Sequence, residues 1–306
     1  MANHTISNTT TSEPTSAGRD GPVRATATEY ASAGNVLMPL ERPLPERLLG
    51  VWAHPDDECY LSAGLMARVI ESGGEVTVVT ATRGEKGTDD PTAYDSDEFA
   101  AERERELIAS LGELGVTDLR FLGLRDGECD SSHAEAAIGG IVDVMLEFRP
   151  DTVVTFGPDG ITGHADHLTI SRRTTEAWRR VGPVGFRPEL LYATITHDYV
   201  ARYRALHDEI GLFADRGAAG PASISRRDVK LECSLSEFEL DRKRRALAAH
   251  GSQTAGLADL MGEATYRGWW RDERFRAPSR SEVAACPVPF WMRDGSRSED
   301  RLAVVS

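Results

Sequence analysis

Short apolar runs alternate with amphipathic segments along most of the chain. Residues 48–53 are apolar at nearly every position, which is typical of a buried strand. Residues 61–72 then carry apolar side chains at the spacing of a helix face, and two glycines at 73 and 74 end that pattern. The β-branched run at residues 76–81 predicts a second strand. A strand, a helix and another strand are therefore expected to open the ordered part of the chain.

The same alternation continues towards the C-terminus. It predicts a charged helix over residues 99–114, a short strand over 119–122, a helix over 134–148 and a strand over 152–156. Strands that are apolar on both faces and are separated by helices are typical of parallel sheets. We therefore predict an α/β fold, with a Rossmann-like, mostly parallel sheet and helices on both faces. The periodicity weakens over residues 209–234 and a helix returns over 235–249, so a smaller C-terminal subdomain is also expected.

The two ends of the chain lack this pattern. Residues 1–44 are rich in Thr, Ser, Ala, Gly and Pro, and their apolar content is too low to offset the entropy lost on ordering. We therefore predict a flexible arm over residues 1–44, one folded α/β domain over 45–288, and a poorly patterned tail over 289–306.

Charge and cysteine usage narrow the class of partner. The formal net charge of −14 disfavours non-specific binding to nucleic acid or to an anionic membrane surface, so we expect a small-molecule substrate. The four cysteines form no C-x-x-C pair, and neither a membrane span nor a signal peptide is evident. These features predict reduced thiols and a cytoplasmic location, and they are compatible with a homo-oligomer.

Two polar clusters follow predicted strands, and both are rich in metal-ligand residue types. They are His-Pro-Asp-Asp-Glu at residues 54–58 and His-Ala-Asp-His at residues 164–167. In open α/β sheets, ligands bind beyond the carboxyl ends of the strands. A catalytic zinc site needs three His or carboxylate ligands and one open position. Taken alone, the first cluster could cap a helix and a single histidine of the second could be structural. Their conjunction favours a metal site.

These motifs resemble those of the LmbE-like or PIG-L deacetylases, a family that includes deacetylases of N-acetylglucosaminyl compounds and mycothiol-pathway hydrolases. The resemblance rests on Ala-His-Pro-Asp-Asp-Glu at residues 53–58, Thr-Arg-Gly-Glu at 82–85 and Gly-His-Ala-Asp-His at 163–167. Weaker matches are Phe-Leu-Gly at 121–123 followed by Asp126, and Lys243 followed by Ala-His-Gly-Ser-Gln at 249–253. The resemblance extends from about residue 47 to residue 275.

The resemblance implies a metal site and a general base. By this resemblance His54, Asp57 and His167 hold the metal, and Asp56 is the general base. Zn²⁺ is the expected ion, and the mixed nitrogen and oxygen ligand set also admits Fe²⁺ or another divalent metal. A carboxylate within hydrogen-bond reach of the activated water can take its proton at neutral pH.

The second motif is expected to supply the remaining catalytic groups. By resemblance, His164 acts on the oxyanion and the leaving amine as an imidazolium, while Asp166 orients His164 or supports the shell around the metal. A plain helix cap is an equal alternative for Asp166.

Two arginines and two tryptophans complete the candidates. Arg83 and Arg103 could grip substrate hydroxyls or phosphate, although Arg103 lies in a Glu/Arg run that also suits a solvated helix face. Trp269 and Trp270 could stack on a sugar ring, but packing against the domain is the favoured role.

The sequence therefore predicts a zinc-dependent hydrolase that removes an N-acetyl group from an N-acetylglucosamine-type compound or glycoconjugate. One alternative is an amidase that cleaves a thiol conjugate of the mycothiol type. The other is a non-catalytic metal-binding module, which is disfavoured because such a module needs neither Asp56 nor His164.

Overall fold

The computed structural model describes residues 43–88, 95–130 and 133–285. Most of the arm predicted over residues 1–44 and all of the tail predicted over 289–306 lie outside this part of the chain. The division into an arm, one domain and a tail therefore stays a prediction.

The described residues contain seven strands and ten α-helices. The strands are β1 (Arg47–Trp52), β2 (Glu75–Thr80), β3 (Asp118–Phe121), β4 (Thr152–Phe156), β5 (Glu189–Ala193), β6 (Leu231–Ser234) and β7 (Asp272–Arg276). The helices are α1 (Asp57–Glu71), α2 (Ser96–Leu114), α3 (Ala134–Phe148), α4 (Ala165–Val181), α5 (His197–Arg202), α6 (Arg204–Glu209), α7 (Glu237–Ala249), α8 (Gly251–Met261), α9 (Glu263–Trp269) and α10 (Arg280–Ala285).

The strands form one sheet in the order β3-β2-β1-β4-β5-β7-β6. Strands β1 to β5 are parallel, and β7 runs antiparallel to both β5 and β6. Leu49 of β1 pairs with Thr77 on one side and with Val153 on the other, which places β1 in the interior of the sheet. The predicted α/β class with a mostly parallel sheet is confirmed.

Two layers of helices explain why the central strand is apolar on both faces. Helices α1, α2 and α7 contact one another, while α3 packs on α4, and α1 and α4 both contact β1. Leu48, Leu49, Val51 and Trp52 are consequently inaccessible to solvent. Apolar side chains that alternate across such a covered strand supply the core.

The predicted elements of the first half agree closely with the structure. The helix expected over residues 134–148 and the strand expected over 152–156 coincide with α3 and β4. Helix α1 begins at Asp57, four residues before the predicted start, because the acidic residues of the first cluster form its first turn. The helix expected over 235–249 begins at Glu237, after a capping box formed by Ser236 and Glu239.

The last two strands of the sheet are the main difference from the prediction. The C-terminal region was expected to form a smaller subdomain, yet β6 and β7 extend the same sheet. β7 has the sequence Asp-Glu-Arg-Phe-Arg, whose single apolar residue gives no strand signal. Two of its charged side chains are buried as ion pairs: Glu273 pairs with Lys243, and Arg274 pairs with Glu232.

Parallel strands place the functional loops at one edge of the sheet. β1 to β4 all run in the same direction, so the segments that follow them meet at their carboxyl ends. Among the described residues, no helix is long and apolar enough to cross a membrane. Cys59, Cys129 and Cys233 are buried free thiols, as expected, and Cys286 lies outside the described residues.

Candidate active site

A cavity of about 570 Å³ opens where the loops after the parallel strands meet. Side chains from both predicted clusters line it, including His54, Asp56 and Asp57 after β1, and His164 and His167 before and within α4. The two motifs are more than a hundred residues apart in the chain. The sheet brings them together because β1 and β4 are neighbours.

The three side chains predicted to hold the metal converge on one point. His54 Nδ1 lies 3.3 Å from His167 Nε2, and Asp57 Oδ1 lies 3.3 Å from the same His167 atom. His54 Nδ1 is 3.6 Å from Asp57 Oδ2. Ligand atoms bound at 2.0–2.1 Å around a tetrahedral ion are separated by about 3.3 Å. The spacing of these three groups therefore fits a divalent cation.

The protein holds the outward nitrogens of both histidines, which directs their inward nitrogens, His54 Nδ1 and His167 Nε2, at each other. His167 Nδ1 donates to the carbonyl of Gly160 at 3.0 Å. His54 Nε2 lies 3.2 Å from Asp126 Oδ1 and 3.2 Å from Asp166 Oδ2, so this nitrogen carries the proton. The inward pair, 3.3 Å apart, shares a hydrogen bond when His54 Nδ1 carries a proton, and a divalent cation can replace that proton. This arrangement is characteristic of metal-binding histidines.

The electrostatics of the cluster favour a cation. Burial by itself lowers the pKa of His54, but hydrogen bonds to Asp126 and Asp166 outweigh burial and raise it well above its usual value. Burial lowers the pKa of His167, which keeps this ring neutral, as a ligand must be. Burial alone would raise the pKa of Asp57, yet His167 and His54 lower it to about 2. The acid is therefore ionised and available as a ligand.

Other His and Asp combinations in the cluster also come close together. Candidate ligand atoms of His54, His164 and His167 lie within 4.8 Å of one another, and so do those of His54, Asp126 and Asp166. The second set approaches His54 through Nε2, the nitrogen that faces away from His167. His164 accepts the backbone N–H of Asp166 on Nδ1 at 3.2 Å, so only its Nε2 is free for other contacts. We therefore favour Asp57 as the third ligand.

Asp126 is a site residue that the sequence interpretation did not assign. It lies in the loop after β3, lines the cavity and holds His54 while its other oxygen accepts the backbone N–H of Lys86 at 3.0 Å. The sequence did indicate a possible site residue here, because Asp126 follows a predicted strand and forms part of a weaker motif match. Its role depends on the position of β3 beside β2, which one segment of sequence does not reveal.

Asp56, the predicted base, is held in an unusual conformation beside the metal ligands. Its φ of 108° lies in the left-handed region, which a non-glycine residue rarely adopts. The Glu58 carboxylate accepts its backbone N–H at 3.1 Å. Burial raises the pKa of the Asp56 carboxyl to about 7, and the positive charge of Arg103 opposes this shift. A carboxylate with such a pKa can take up and release a proton near neutral pH.

Arg103 supports this loop instead of extending into solvent. It is only 3% exposed, and its guanidinium donates to the carbonyl of Pro55 at 2.6 Å and to that of Gly84 at 2.9 Å. The same group lies 3.3 Å from Asp56 Oδ2. A Cβ on Gly84 would lie 2.0 Å from Arg103 Nη1, so the close approach requires glycine. These contacts give Arg103 a positioning role. Arg103 also lines the cavity, so the predicted substrate contact stays a prediction, whereas the alternative of a solvated helix face is wrong.

Arg83 lies apart from this cavity. Its side chain is 41% exposed, pairs with Glu104 and covers the ring of Phe121. It is not among the residues that line the cavity, so its position does not support the predicted substrate contact.

The residues of the second motif lie at the start of α4. His164 lines the cavity and caps α4, and its Nδ1 accepts the backbone N–H of Asp166, which leaves Nε2 for other contacts; the imidazolium implied by the resemblance stays a prediction. Asp166 neither caps the helix nor orients His164 through its carboxylate. That carboxylate accepts the backbone N–H groups of Gly127 and Cys129 and contacts His54. This contact with His54, a predicted metal ligand, agrees with the second role that the resemblance implied for Asp166, support of the shell around the metal.

The tryptophan pair forms part of the cavity wall. Trp269 is 2% exposed and donates to His207, and Trp270 stacks near it with a ring separation of 3.9 Å. Both residues line the cavity. The favoured role, packing against the domain, is therefore observed, and stacking on a sugar ring stays a prediction for two residues that lie in the cavity wall.

Fold and site together describe an α/β protein with a cation-binding cluster at the carboxyl edge of its sheet. The model of the PIG-L family, GlcNAc-PI de-N-acetylase, matches residues 49–178. A 1D-myo-inositol 2-acetamido-2-deoxy-alpha-D-glucopyranoside deacetylase from Actinosynnema mirum is 33% identical over 249 residues, which are 72% of this chain and 86% of that protein. The chain belongs to the PIG-L family.

Other relatives are matched over a smaller share of their length. A protein with the same printed name from Streptomyces avermitilis is 38% identical over 172 residues, which cover 49% of this chain and 58% of the relative. Among solved structures, N,N'-diacetylchitobiose deacetylase from Pyrococcus horikoshii aligns with a TM-score of 0.52 at 20% identity, over 82% of this chain and 89% of that one. At that identity the likeness supports the fold alone.

Proposed function

We propose that this chain is a metal-dependent N-deacetylase that hydrolyses the amide of an N-acetylglucosamine-type compound. The observation that carries the proposal is the convergence of His54, Asp57 and His167 beside Asp56 at the wall of the cavity. The names of the curated relatives support the same reaction. They do not favour the alternative amidase for a mycothiol-type thiol conjugate.

The proposed metal ligands are His54 Nδ1, Asp57 and His167 Nε2, and the proposed ion is Zn²⁺. This ion would supply Lewis-acid activation of water and of the amide carbonyl. The mixed nitrogen and oxygen donors also suit Fe²⁺. Asp126 and Asp166 would fix the orientation of His54 and strengthen it as a ligand.

The reaction consumes one water and gives acetate and a free amine. The water oxygen forms a bond to the carbonyl carbon, and the carbon–nitrogen bond breaks. Asp56 takes a proton from the water and delivers it to the leaving nitrogen, which ends as an ammonium group. The second water proton also reaches this nitrogen, so that acetate leaves as an anion. Arg103 and Glu58 hold Asp56 in place for these transfers.

His164 is the proposed hydrogen-bond donor to the carbonyl oxygen. Its Nδ1 is engaged by the backbone of α4, so Nε2–H is the group available to donate. A donor aimed at the oxygen that becomes negative stabilises the transition state more than the ground state.

The test is acetate release from N-acetylglucosamine compounds by the metal-loaded protein, with and without a chelator. Asp56→Asn is expected to lower kcat by about 10²- to 10⁴-fold with unchanged metal content. Asp130→Asn, at a highly exposed carboxylate, is the matched control and should retain full turnover. Unchanged turnover in Asp56→Asn would show that Asp56 is not the general base. Turnover that persists in the presence of the chelator would show that the reaction does not need a metal.

A further inference from the structure

The cavity has a second region that the proposed hydrolysis does not use. We call it the aromatic chamber. It is formed by half-buried side chains that lie beyond the metal ligands, on α5, the segment after α6, α8 and the end of α9. These side chains are Tyr199, Ile210, Leu212, Phe213, Leu257 and Trp270.

Aromatic contacts make this region a continuous wall. The rings of Tyr60 and Trp270 are 4.4 Å apart, and Tyr60 also lines the cavity close to the metal end. The ring of Phe213 stands edge-on to His207, which in turn accepts a hydrogen bond from Trp269. The wall therefore runs without interruption from the catalytic cluster into the chamber.

The polar side chains near the chamber are largely committed to the protein. Gln253 Nε2 donates to the carbonyl of Gly87 at 2.8 Å, and Lys86 Nζ lies 3.0 Å from Glu128 Oε1. An exception is the indole N–H of Trp270, which is buried and has no hydrogen-bond partner among the described residues. A sugar bound wholly within this chamber would bury several hydroxyl groups against aliphatic and aromatic carbon, which is unfavourable without partners.

An apolar group suits the chamber in size and in chemistry. The whole cavity measures about 570 Å³, within the range of roughly 300–1,000 Å³ that holds drug-sized ligands. Half-buried aromatic and aliphatic side chains leave apolar surface facing the cavity, and covering this surface with an apolar group is favourable.

We infer that the substrate is an amphipathic amide, in which the amide lies at the His/Asp cluster and an attached alkyl or aryl group fills the aromatic chamber. This inference rests on the proposed function for the position of the amide. An apolar aglycone on the sugar and a longer N-acyl chain present the same chemistry to the chamber, and the substrates of the test distinguish them.

The test compares three substrates of the metal-loaded protein: N-acetylglucosamine, hexyl 2-acetamido-2-deoxyglucoside and N-octanoylglucosamine. Amine or acid release gives kcat/KM for each. One of the two amphipathic substrates should exceed N-acetylglucosamine by at least about ten-fold, and which one does so identifies the side of the amide that carries the apolar group. Equal kcat/KM across the three compounds would overturn the inference.

A pair of variants on one helix locates the effect. Leu257 faces the cavity and Leu260 is 56% exposed on the same helix α8. Leu257→Gln should raise KM for the preferred amphipathic substrate about ten-fold and leave N-acetylglucosamine within two-fold, whereas Leu260→Gln should change neither. Equal losses for both substrates, or equal effects of the two variants, would contradict the chamber as the apolar subsite.

Phe213→Ala provides a second probe if Leu257→Gln does not fold. Its matched control is Phe238→Ala, because Phe238 is 70% exposed on α7. The same split between substrates is expected, and its absence in a folded Phe213→Ala protein would count against the chamber.

A binding measurement separates this inference from the proposed function. Asp56→Asn protein is titrated with hexyl 2-acetamido-2-deoxyglucoside, N-octanoylglucosamine and N-acetylglucosamine in a calorimeter. Tighter binding of an amphipathic compound by at least ten-fold, in a protein whose wild type hydrolyses none of them, would support the chamber and refute the hydrolase. Hydrolysis by the wild type without any preference in binding would support the hydrolase and refute the chamber. If the protein neither bound nor hydrolysed these compounds, both proposals would be refuted.

Discussion

The two ends of the cavity are built from different kinds of sequence. At the metal end, His54, Asp56 and Asp57 follow directly after β1, and His164 and His167 lie where α4 begins. Each position there is set by a short motif at the end of a strand. In the aromatic chamber, the side chains come from several short helices and loops between residues 195 and 270. Local motif determines the first region, and tertiary packing determines the second.

A buried ion pair supports the helix that begins at the metal end, α1, from the C-terminal part of the sheet. Lys243 of α7 and Glu273 of β7 lie 2.7 Å apart and are 2% and 3% exposed. Lys243 Nζ donates to the carbonyl of Tyr60 in α1, while Glu273 accepts the backbone N–H groups of Gly64 and Leu65. In an uninterrupted helix, Gly64 N–H would bond to Tyr60 itself. The pair therefore ties α1, which begins at the metal ligand Asp57, to the C-terminal strand.

Lys243→Met should give the largest change in stability, because it leaves the carboxylate of Glu273 buried without its partner. We expect the free energy of unfolding to fall by about 3–5 kcal/mol in urea denaturation. Lys230→Met, at an exposed lysine, should change it by less than about 0.5 kcal/mol. Similar losses for the two variants would show that the buried pair does not stabilise the fold.

Arg103→Met sharpens the comparison at the metal end. Without the guanidinium, the carbonyl of Pro55 and the carboxylate of Asp56 lose their shared support, and a small displacement of a base can lower kcat about a hundred-fold. Arg83→Met is the control, since Arg83 lies outside the cavity lining. We expect acetate release by Arg83→Met to stay within two-fold of wild type. A larger loss of acetate release in Arg83→Met than in Arg103→Met would support Arg83 as a substrate-binding residue.

His207 gives the aromatic chamber its own pH dependence. Burial lowers the pKa of His207 to about 4, and its Nε2 accepts the indole N–H of Trp269. The unfolded chain binds this proton near pH 6.5, so the contribution of neutral His207 is complete above that pH and is lost as the pH falls towards 4. The loss should be on the order of 2 kcal/mol.

Chemical denaturation at pH 7 and pH 4.5 measures this contribution. His207→Gln should reduce the stability difference between the two pH values, whereas His133→Gln, at an exposed histidine, should leave it unchanged. An unaltered difference in His207→Gln would mean that another group controls acid sensitivity in this region.

The sequence predicts the metal end well because its geometry is local. A strand followed by His-Pro-Asp-Asp-Glu fixes where these side chains emerge, and the parallel sheet places the second motif beside them. Arg103 and Asp126 were harder to assign. The Glu/Arg run around Arg103 resembles a solvated helix face, and only the contact with Pro55 and Gly84 shows that its side chain is buried.

The sequence predicts the chamber and the last strands poorly because their patterns are weak. β7 carries four charged residues in five positions, which are tolerated in the sheet because each has an oppositely charged partner, from α7, β6, α10 or β7 itself. Phe213 and Leu257 lie in segments without a clear period. Their convergence on one cavity depends on long-range packing that no local pattern records.

The most direct test of the account is the metal content of three purified proteins, measured by elemental analysis: wild type, Asp57→Ala and His164→Ala. The account predicts a single divalent ion per chain in the wild type and in His164→Ala, and its loss in Asp57→Ala. A wild type without bound metal, or loss in His164→Ala with retention in Asp57→Ala, would contradict the proposed ligand set.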